Sequence, residues 1–188
     1  MRRSAEDTAA TRAALVDAAL TTFARDGVDG ATLAGIAAAA GVTRGAVYHH
    51  FADKDALLSA VFSETWDVVA GPVWAALETP GHTLAERLEA FALAWLTALH
   101  TDPRFTALMT VTLHAPGAPT AKADALREWH ERLLTALPRA ELRGDPGSAA
   151  AHLLAWLTGT ALLAGHDTDL VPPADAASVR PVLGGILA

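Results

Sequence analysis

Apolar side chains recur every three to four residues along most of this chain, a spacing that places them on one face of an α-helix. The first run predicts a helix over Glu6 to Asp26, in which Val16, Leu20 and Phe23 share a face and Gly27 is placed to end the helix. β-branched residues are sparse and never alternate with polar residues over the length of a strand. The sequence therefore predicts an all-α fold.

Residues suited to helix N-caps divide the next part of the chain into three further helices. A short second helix follows Thr32, a short third follows Thr43, and a long fourth follows Asp53 and is kinked or ended at Pro72. Five later helices are predicted at about residues 84–99, 105–113, 120–137, 148–165 and 174–187. The pattern thus predicts about nine helices.

The segment from Thr32 to Phe51 has the proportions of a helix-turn-helix unit. Alanines in the second helix allow close helix packing, Gly41 permits the positive φ of a sharp turn, and Val42 fills the space between the two helices. We therefore divide the chain into a helix-turn-helix DNA-binding domain, residues 1–53, and a second domain, residues 54–188, that begins with the long fourth helix.

The third helix lies in the stretch VTRGAVYHHFADKDAL, residues 42–57, which concentrates cationic and aromatic side chains in a chain otherwise rich in alanine and leucine. Its outer face carries Arg44, Gly45, Tyr48 and His49. Such a helix can enter the DNA major groove, where an arginine can donate two hydrogen bonds to guanine and a slim N-terminal end lets the backbone approach. Tyrosine and histidine side chains can then reach the phosphates.

Charge and composition narrow the function classes. The net charge of −7 argues mildly against nucleic acid, yet residues 1–56 hold six basic and seven acidic residues, so most of the acidity lies in the second part. The absence of cysteine excludes disulfides, thiolate catalysis and cysteine-ligated zinc, and it fits a cytoplasmic protein. The uncharged stretch of residues 146–166 is strongly apolar only over Leu153 to Ala164, which is too short for a membrane span of about 20 residues.

Residues 30–61, GATLAGIAAAAGVTRGAVYHHFADKDALLSAV, resemble the DNA-binding segment of the TetR-family transcriptional regulators. The resemblance rests on the small-residue-rich second helix, the turn at residues 41–43, the Tyr-His-His-Phe run at residues 48–51, and Lys54 followed by an apolar helix. Residues 128–159, EWHERLLTALPRAELRGDPGSAAAHLLAWLTG, resemble the ligand-binding and dimerisation half of the AcrR-like branch of that family.

The resemblance implies a ligand-responsive regulator, most simply a homodimeric repressor. Its first three helices are expected to bind double-stranded operator DNA, the fourth to link the domains, and helices five to seven to enclose a small-molecule effector site. Carried over by position, the residues expected at the DNA are Thr32, Thr43, Arg44, Gly45, Ala46, Tyr48, His49, His50 and Lys54.

One departure from the family's pattern lies on the exposed side of the second helix. Ala34 and Gly35 stand where a polar or basic residue is often found, which predicts fewer phosphate contacts and a weaker dependence of binding on salt. Arg2, Arg3 and Arg12 are placed to compensate from the N-terminal arm.

Aromatic residues concentrate on the predicted helices four to eight. They suit an apolar or aromatic effector site, and they equally suit a packed core, a choice that the sequence leaves open for each of them. The candidates are the aromatic residues Phe62, Trp66, Phe91, Trp95, Phe105, Trp129 and Trp156, together with Met109.

The last two helices are expected to pair with those of a partner subunit in a four-helix bundle. The uncharged eighth helix carries Ala155, Gly159 and Ala164, which permit close helix contact, and the ninth contributes apolar side chains at residues 179, 182, 183 and 186. The single alternative class is an all-helical small-molecule carrier or enzyme without DNA binding; within the family, an activator is the alternative to a repressor.

Catalytic and metal sites find no support in the sequence. There is no phosphate-binding loop, no cysteine nucleophile and no serine in a strained elbow. The histidines at positions 100, 114, 130, 152 and 166 form no i, i+3 or i, i+4 pair, so a metal site would have to be assembled across helices. We therefore predict no enzyme activity, no cofactor and no resident metal ion.

Overall fold

The computed structural model describes the backbone of residues 2–114 and 119–188 and the side chains of residues 6–114 and 123–188. Every regular element in these ranges is a helix, which confirms the predicted fold class. The helices are α1 (Arg2–Gly30), α2 (Leu33–Ala39), α3 (Arg44–His50), α4 (Lys54–Val69), α5 (Gly71–Ala75), α6 (Leu84–Thr101), α7 (Pro103–His114), α8 (Pro119–Ala136), α9 (Pro146–His166) and α10 (Ala176–Gly184).

The helix that the sequence did not predict is α5, which follows α4 after a break at Ala70. Pro72 was expected to kink or end the fourth helix, and it stands in the first turn of α5, just after the break at Ala70. A proline is tolerated there because the N–H groups of a first helical turn have no intrahelical partner. The nine predicted helices therefore correspond to α1–α4 and α6–α10.

Side-chain caps fix the starts of the helices as the sequence predicted. Thr32 Oγ1 accepts a hydrogen bond from Gly35 N–H at 3.0 Å, Thr43 Oγ1 accepts from Ala46 N–H at 3.3 Å, and an oxygen of Asp53 accepts from the N–H three residues later at 2.8 Å. Each bond satisfies a donor that the helix itself leaves unpaired.

Packing joins the N-terminal helices firmly to the rest of the chain. Helix α1 packs on α4 and along α7, with Leu15, Leu20 and Phe23 buried in a core that continues into the second part of the chain. The regular helix breaks at Gly27, whose φ of 73° lies in the left-handed region, and one further turn leads to Gly30.

Helix α9 is long and apolar enough to cross a membrane by length and composition alone, with a hydropathy of 1.3 over its most apolar 18 residues. In this chain it packs against α6, α7 and α8, and Leu153, Leu157 and Ala161 of α9 are buried in that contact. Within this stretch 39% is buried inside the chain, so packing on α6, α7 and α8 accounts for only one side of the helix.

Helix α10 does not present the apolar face that the sequence predicted for a subunit bundle. Val179, Leu183 and Ile186 are buried within the chain, Val182 is half-buried, and α10 packs on α6. Ala164 of α9, expected to allow close contact with a partner, is also buried inside the chain. The periodicity identified these residues as buried but did not show which surface buries them.

Candidate DNA-binding surface and effector site

The turn between α2 and α3 is built by backbone hydrogen bonds that require glycine at one position. Gly41 has a φ of 69°, its N–H donates to Ala38 O at 3.1 Å, and the N–H of Val42 donates to Ala37 O at 2.9 Å. This pair of bonds is the Schellman motif, which places its glycine in the left-handed region. It ends α2 sharply and turns the chain directly into the Thr43 cap of α3.

Helix α3 is anchored by Val47, which is fully buried, and it presents the opposite side to solvent. Arg44, Gly45, Tyr48 and His49 are all exposed, as the sequence predicted. Arg44 Nη2 donates to the Tyr48 hydroxyl at 3.2 Å, and its guanidinium carbon lies 5.5 Å from the centre of the tyrosine ring. The guanidinium therefore lies along α3, held by a single exposed hydrogen bond that a guanine edge can replace.

The fold of α3 does not require a glycine at position 45. Its φ is not positive, and a Cβ atom built there would meet only Thr43 Oγ1, at an ordinary contact distance of 3.8 Å. Alanine is the better helix former at such a site. A requirement for glycine must therefore come from something that approaches α3 from outside.

The two histidines at the end of α3 differ in their surroundings. His49 is exposed, whereas His50 is half-buried, with its ring centre 6.2 Å from that of Phe51. Burial lowers the pKa of His50, and the positive charges of His49 and Arg12 lower it further. His50 thus belongs partly to the packing of the domain, while His49 remains free to face a ligand.

Arg12 is engaged within the domain rather than held out as an arm. Its Nε donates to a carboxylate oxygen of Glu64 at 3.0 Å, and its guanidinium carbon lies 4.4 Å from the centre of the Phe51 ring. It therefore ties α1 to α4, contrary to the expectation that it compensates for missing phosphate contacts. The side chains of Arg2 and Arg3 lie outside the described residues.

Lys54 has an intramolecular role that the sequence did not predict. Its ammonium group donates to the carbonyl oxygens of Asp29 and Ala31, both at 3.3 Å. These carbonyls lie at and just beyond the end of α1, so Lys54 joins the start of α4 to the entry of α2. One donor of the ammonium group remains for an anion.

Five of the predicted effector-site aromatics form one cluster, in which all but the half-buried Trp66 are buried. Trp129 lies at its centre, with ring centres of Trp66 at 5.6 Å and Trp95 at 5.9 Å, and Phe105 meets Trp95 edge-on at 5.1 Å. Phe91 completes the set, 6.5 Å from Trp95. Met109 is fully buried, whereas Phe62 and Trp156 are half-buried against the core and make no ring contact within the described residues.

Trp74 belongs to the same cluster and was not predicted from the sequence, because it lies beyond the kink or end that was expected at Pro72. Its ring is fully buried, 5.1 Å from Phe91 and 6.1 Å from Trp129. Among the described residues, its indole N–H is one of two buried side-chain nitrogens without a hydrogen-bond partner. An unpaired buried donor is costly, and a ligand with an acceptor oxygen can satisfy it.

A polar pair on α8 and the turn after α5 covers the outer side of Trp74. The guanidinium carbon of Arg132 lies 4.9 Å from the centre of the Trp74 ring, and its Nη2 lies 2.8 Å from Glu78 Oε1. On the inner side, Trp95 Nε1 donates to Thr160 Oγ1 at 2.9 Å, so this second indole is satisfied. Of these two indoles, the N–H of Trp95 is paired and that of Trp74 is not.

Two hollows among the described residues lie away from this cluster. One of about 430 Å³ and one of about 170 Å³ lie where α1, α7 and α9 meet, and none of the predicted effector-site aromatics lines either of them. The described residues contain no group of three histidine, aspartate or glutamate side chains placed to hold a metal ion.

Comparison with known proteins relates the N-terminal segment to a family of regulators. A family model for bacterial regulatory proteins of the tetR family matches residues 15–61, which run from the middle of α1 into α4. The HTH-type transcriptional regulator AcrR of Shigella flexneri is 45% identical over 67 residues, which cover 36% of this chain and 29% of AcrR. The chain therefore spans less than a third of that relative.

Longer similarities cover both parts of the chain. The HTH-type transcriptional regulator BetI of Paraburkholderia xenovorans is 31% identical over 167 residues, covering 84% of this chain and 85% of BetI. Among solved structures, SmeT, the repressor of a Stenotrophomonas maltophilia multidrug efflux pump, is 31% identical with a TM-score of 0.75, over 97% of this chain and 93% of SmeT. SmeT has also been solved in complex with triclosan, at a TM-score of 0.76.

Proposed function

Because this chain belongs to the TetR family of bacterial regulatory proteins, we propose that it is a cytoplasmic, homodimeric repressor released from operator DNA by a small apolar or aromatic molecule. The relatives that match it are transcriptional regulators, and this chain is accordingly not an enzyme. The observation that carries the proposal is α3, a capped helix buried on one side and exposed on the other, with an arginine, a glycine and a tyrosine at its free surface.

Helix α3 is the element that we assign to the major groove. Its N-terminal end carries Arg44, whose guanidinium can pair with guanine, and Gly45, which leaves room for the backbone to approach the bases. Thr32 and Thr43 accept bonds as caps and retain a hydroxyl hydrogen for a phosphate. Tyr48, His49 and the remaining donor of Lys54 extend the phosphate contacts, while Ala46 and His50 are half-buried at the edge of this surface.

The test compares Arg44→Ala with Arg25→Ala on an operator selected from random duplexes by the unaltered protein. Arg44→Ala is expected to reduce discrimination at one base per half-site by about 1–3 kcal/mol. Arg25 is an exposed arginine of the same domain that pairs with Asp26, and its loss is expected to leave base preference unchanged. Undiminished discrimination in Arg44→Ala contradicts the assignment of α3. Expression from the operator on deletion of the gene then distinguishes a repressor from an activator.

The aromatic cluster around Trp129 is the effector site that we propose. Its rings supply an apolar surface, and the unpaired Trp74 N–H supplies a donor for one acceptor on the ligand. The binding of triclosan by SmeT supports a ligand of this chemistry. Release requires two forms of the dimer, one that spans both operator half-sites and one that does not. A ligand shifts the population toward the second form only to the extent that it binds that form more tightly.

Titration with triclosan, followed by tryptophan fluorescence and operator release, tests this site. Trp74→Phe keeps the ring but removes the donor, and it is expected to weaken binding about tenfold, whereas Trp156→Phe, outside the ring cluster, is expected to have little effect. Equal affinity in both variants contradicts a ligand bonded to Trp74. Binding without release contradicts the coupling to DNA.

The dimer that we propose has the exposed face of α9 at its centre. Ala151, Ala155, Gly159 and Leu162 recur at helical spacing, Leu162 is 44% exposed, and a Cβ added at Gly159 meets no atom within 4 Å. Small residues of this kind allow two helices to approach closely. The contribution of α10 is smaller than the sequence suggested because its apolar side is used against α6.

Substitution of Leu162 by glutamate tests this interface. A buried, unpaired carboxylate is expected to give a monomer by light scattering and to abolish operator binding. Val68→Glu is the control, since Val68 is 67% exposed on α4, away from α9. A dimer that survives Leu162→Glu places the interface elsewhere.

A further inference from the structure

Two histidines that are 52 positions apart in the sequence meet at the ends of two helices. His114 is the last residue of α7 and His166 is the last residue of α9, and their ring centres lie 6.2 Å apart. Both side chains are exposed and line the hollow of about 170 Å³ beside the break in α1. Spacing along a single helix does not bring these two histidines together, and only the fold makes the pair.

In both rings Nδ1 forms a hydrogen bond with a backbone carbonyl four residues earlier in the same helix. His114 Nδ1 lies 3.1 Å from Thr110 O, and His166 Nδ1 lies 2.9 Å from Leu162 O. A carbonyl oxygen only accepts, so each Nδ1 carries a hydrogen, and in the neutral ring Nε2 is the nitrogen with the lone pair. Within the described residues neither Nε2 has a hydrogen-bond partner. A histidine that donates from one nitrogen to a carbonyl and offers the other is oriented as metal-binding histidines are.

The backbone around the pair favours a cation. Both imidazoles stand at helix C-termini, where the unpaired carbonyl groups give a partial negative charge. Apart from these two rings, the described lining of the hollow carries no ionisable side chain, so no lysine or arginine competes for the position. The approach of the helices depends on Gly165, since a Cβ atom there would lie 2.9 Å from Thr110 Oγ1.

We propose that His114 and His166 together bind one divalent transition-metal ion of the zinc, nickel or copper class, with water as the remaining ligands. Zinc–nitrogen bonds of about 2.0–2.1 Å put two imidazoles on one tetrahedral ion at a ring-centre distance of about 5 Å, so binding requires the two exposed rings to approach by about 1 Å from the 6.2 Å seen here. Imidazole selects these metals over magnesium and calcium, which prefer oxygen ligands. The described residues supply two protein ligands and no third, so the affinity is that of an exchangeable site.

An ion at this position joins the ends of α7 and α9 beside Gly27, where the regular part of α1 ends. The site is separate from the aromatic cluster and from the face of α3. Its test therefore needs neither DNA nor effector.

Calorimetric titration of the untagged full chain with ZnCl₂ and with NiCl₂ at pH 7.5 tests the proposal. The unaltered protein is expected to bind one ion per chain with a dissociation constant on the order of 10 μM, stabilising the fold by mass action. His114→Gln and His166→Gln are each expected to weaken binding at least tenfold, and the double variant is expected to weaken it little further because both residues serve one ion.

His100→Gln is the matched control. His100 is also exposed, and its Nε2 lies 3.0 Å from the carbonyl oxygen of Pro172. No other ring lies beside it in the described part of the chain. Its replacement is expected to leave the ion bound, and circular dichroism of every variant shows whether the helices are intact. Absence of binding at millimolar metal, or binding that survives either His114→Gln or His166→Gln, overturns the proposal.

Discussion

Replacement of Gly45 by alanine separates the demands of folding from those of DNA binding. The backbone at Gly45 is helical, and the added methyl group meets only Thr43 Oγ1, at 3.8 Å. In an exposed helix, alanine is favoured over glycine by about 0.5–1 kcal/mol. For a chain of this length 1 kcal/mol corresponds to about 2–4 °C, so the melting temperature is expected to rise by about 1–4 °C.

Operator binding is expected to change in the opposite direction. If α3 lies in the major groove with its N-terminal end against the bases, the methyl group fills the space through which the backbone approaches. A loss of about 1.4 kcal/mol at each half-site is tenfold in affinity, and a dimer carries the substitution twice, so the expected loss is about a hundredfold. The variant is thus more stable and binds DNA less well.

Differential scanning calorimetry and fluorescence anisotropy with labelled operator measure the two effects on the same preparation. Gly71→Ala is the control, because Gly71 has no neighbour within 4 Å of an added Cβ atom and lies in α5, away from the DNA-binding helices. The control is expected to bind operator normally. A Gly45→Ala protein that binds operator as tightly as the unaltered one would falsify the placement of α3 in the groove.

Three further predictions concern the core and the pH dependence of stability. Thr160→Val removes the acceptor of the buried Trp95 N–H and is expected to lower the free energy of unfolding by about 1–3 kcal/mol, measured in urea. Gly165→Ala is expected to lower the free energy of unfolding by about 1–3 kcal/mol, because the added methyl group overpacks against Thr110. Adding Thr110→Ala to the same chain should restore most of that stability. If the effects of the two substitutions simply add, the two residues are not in contact. Burial lowers the pKa of His50 below 6.5, so as the pH falls the unfolded chain binds this proton before the folded chain does. The contribution of neutral His50 to the free energy of unfolding is therefore complete above pH 6.5 and is lost as the pH falls through the folded pKa. His50→Gln should make the free energy of unfolding, measured in urea at several pH values, depend less on pH.

Local hydrogen bonding explains why the helix-turn-helix could be predicted from the sequence. The caps at Thr32, Thr43 and Asp53 each join a side chain to an N–H three residues away, and Gly41 is required by a turn whose bonds span at most five residues. Interactions of this range are determined by adjacent residues whatever the rest of the chain does. The exposed face of α3 follows from the helical period once its ends are known.

Contacts between distant residues could not be obtained in this way. Periodicity identified Val179 and Leu183 as buried, but only the packing of α10 on α6 decided that the same chain, rather than a partner, buries them. The bond between Trp95 and Thr160 spans 65 positions, and the meeting of His114 with His166 depends on how closely α7 approaches α9. The sequence by itself determined where helices begin, end and turn, because those choices depend on neighbouring residues; the tertiary structure decided which apolar faces meet, because that depends on the shape of the whole core.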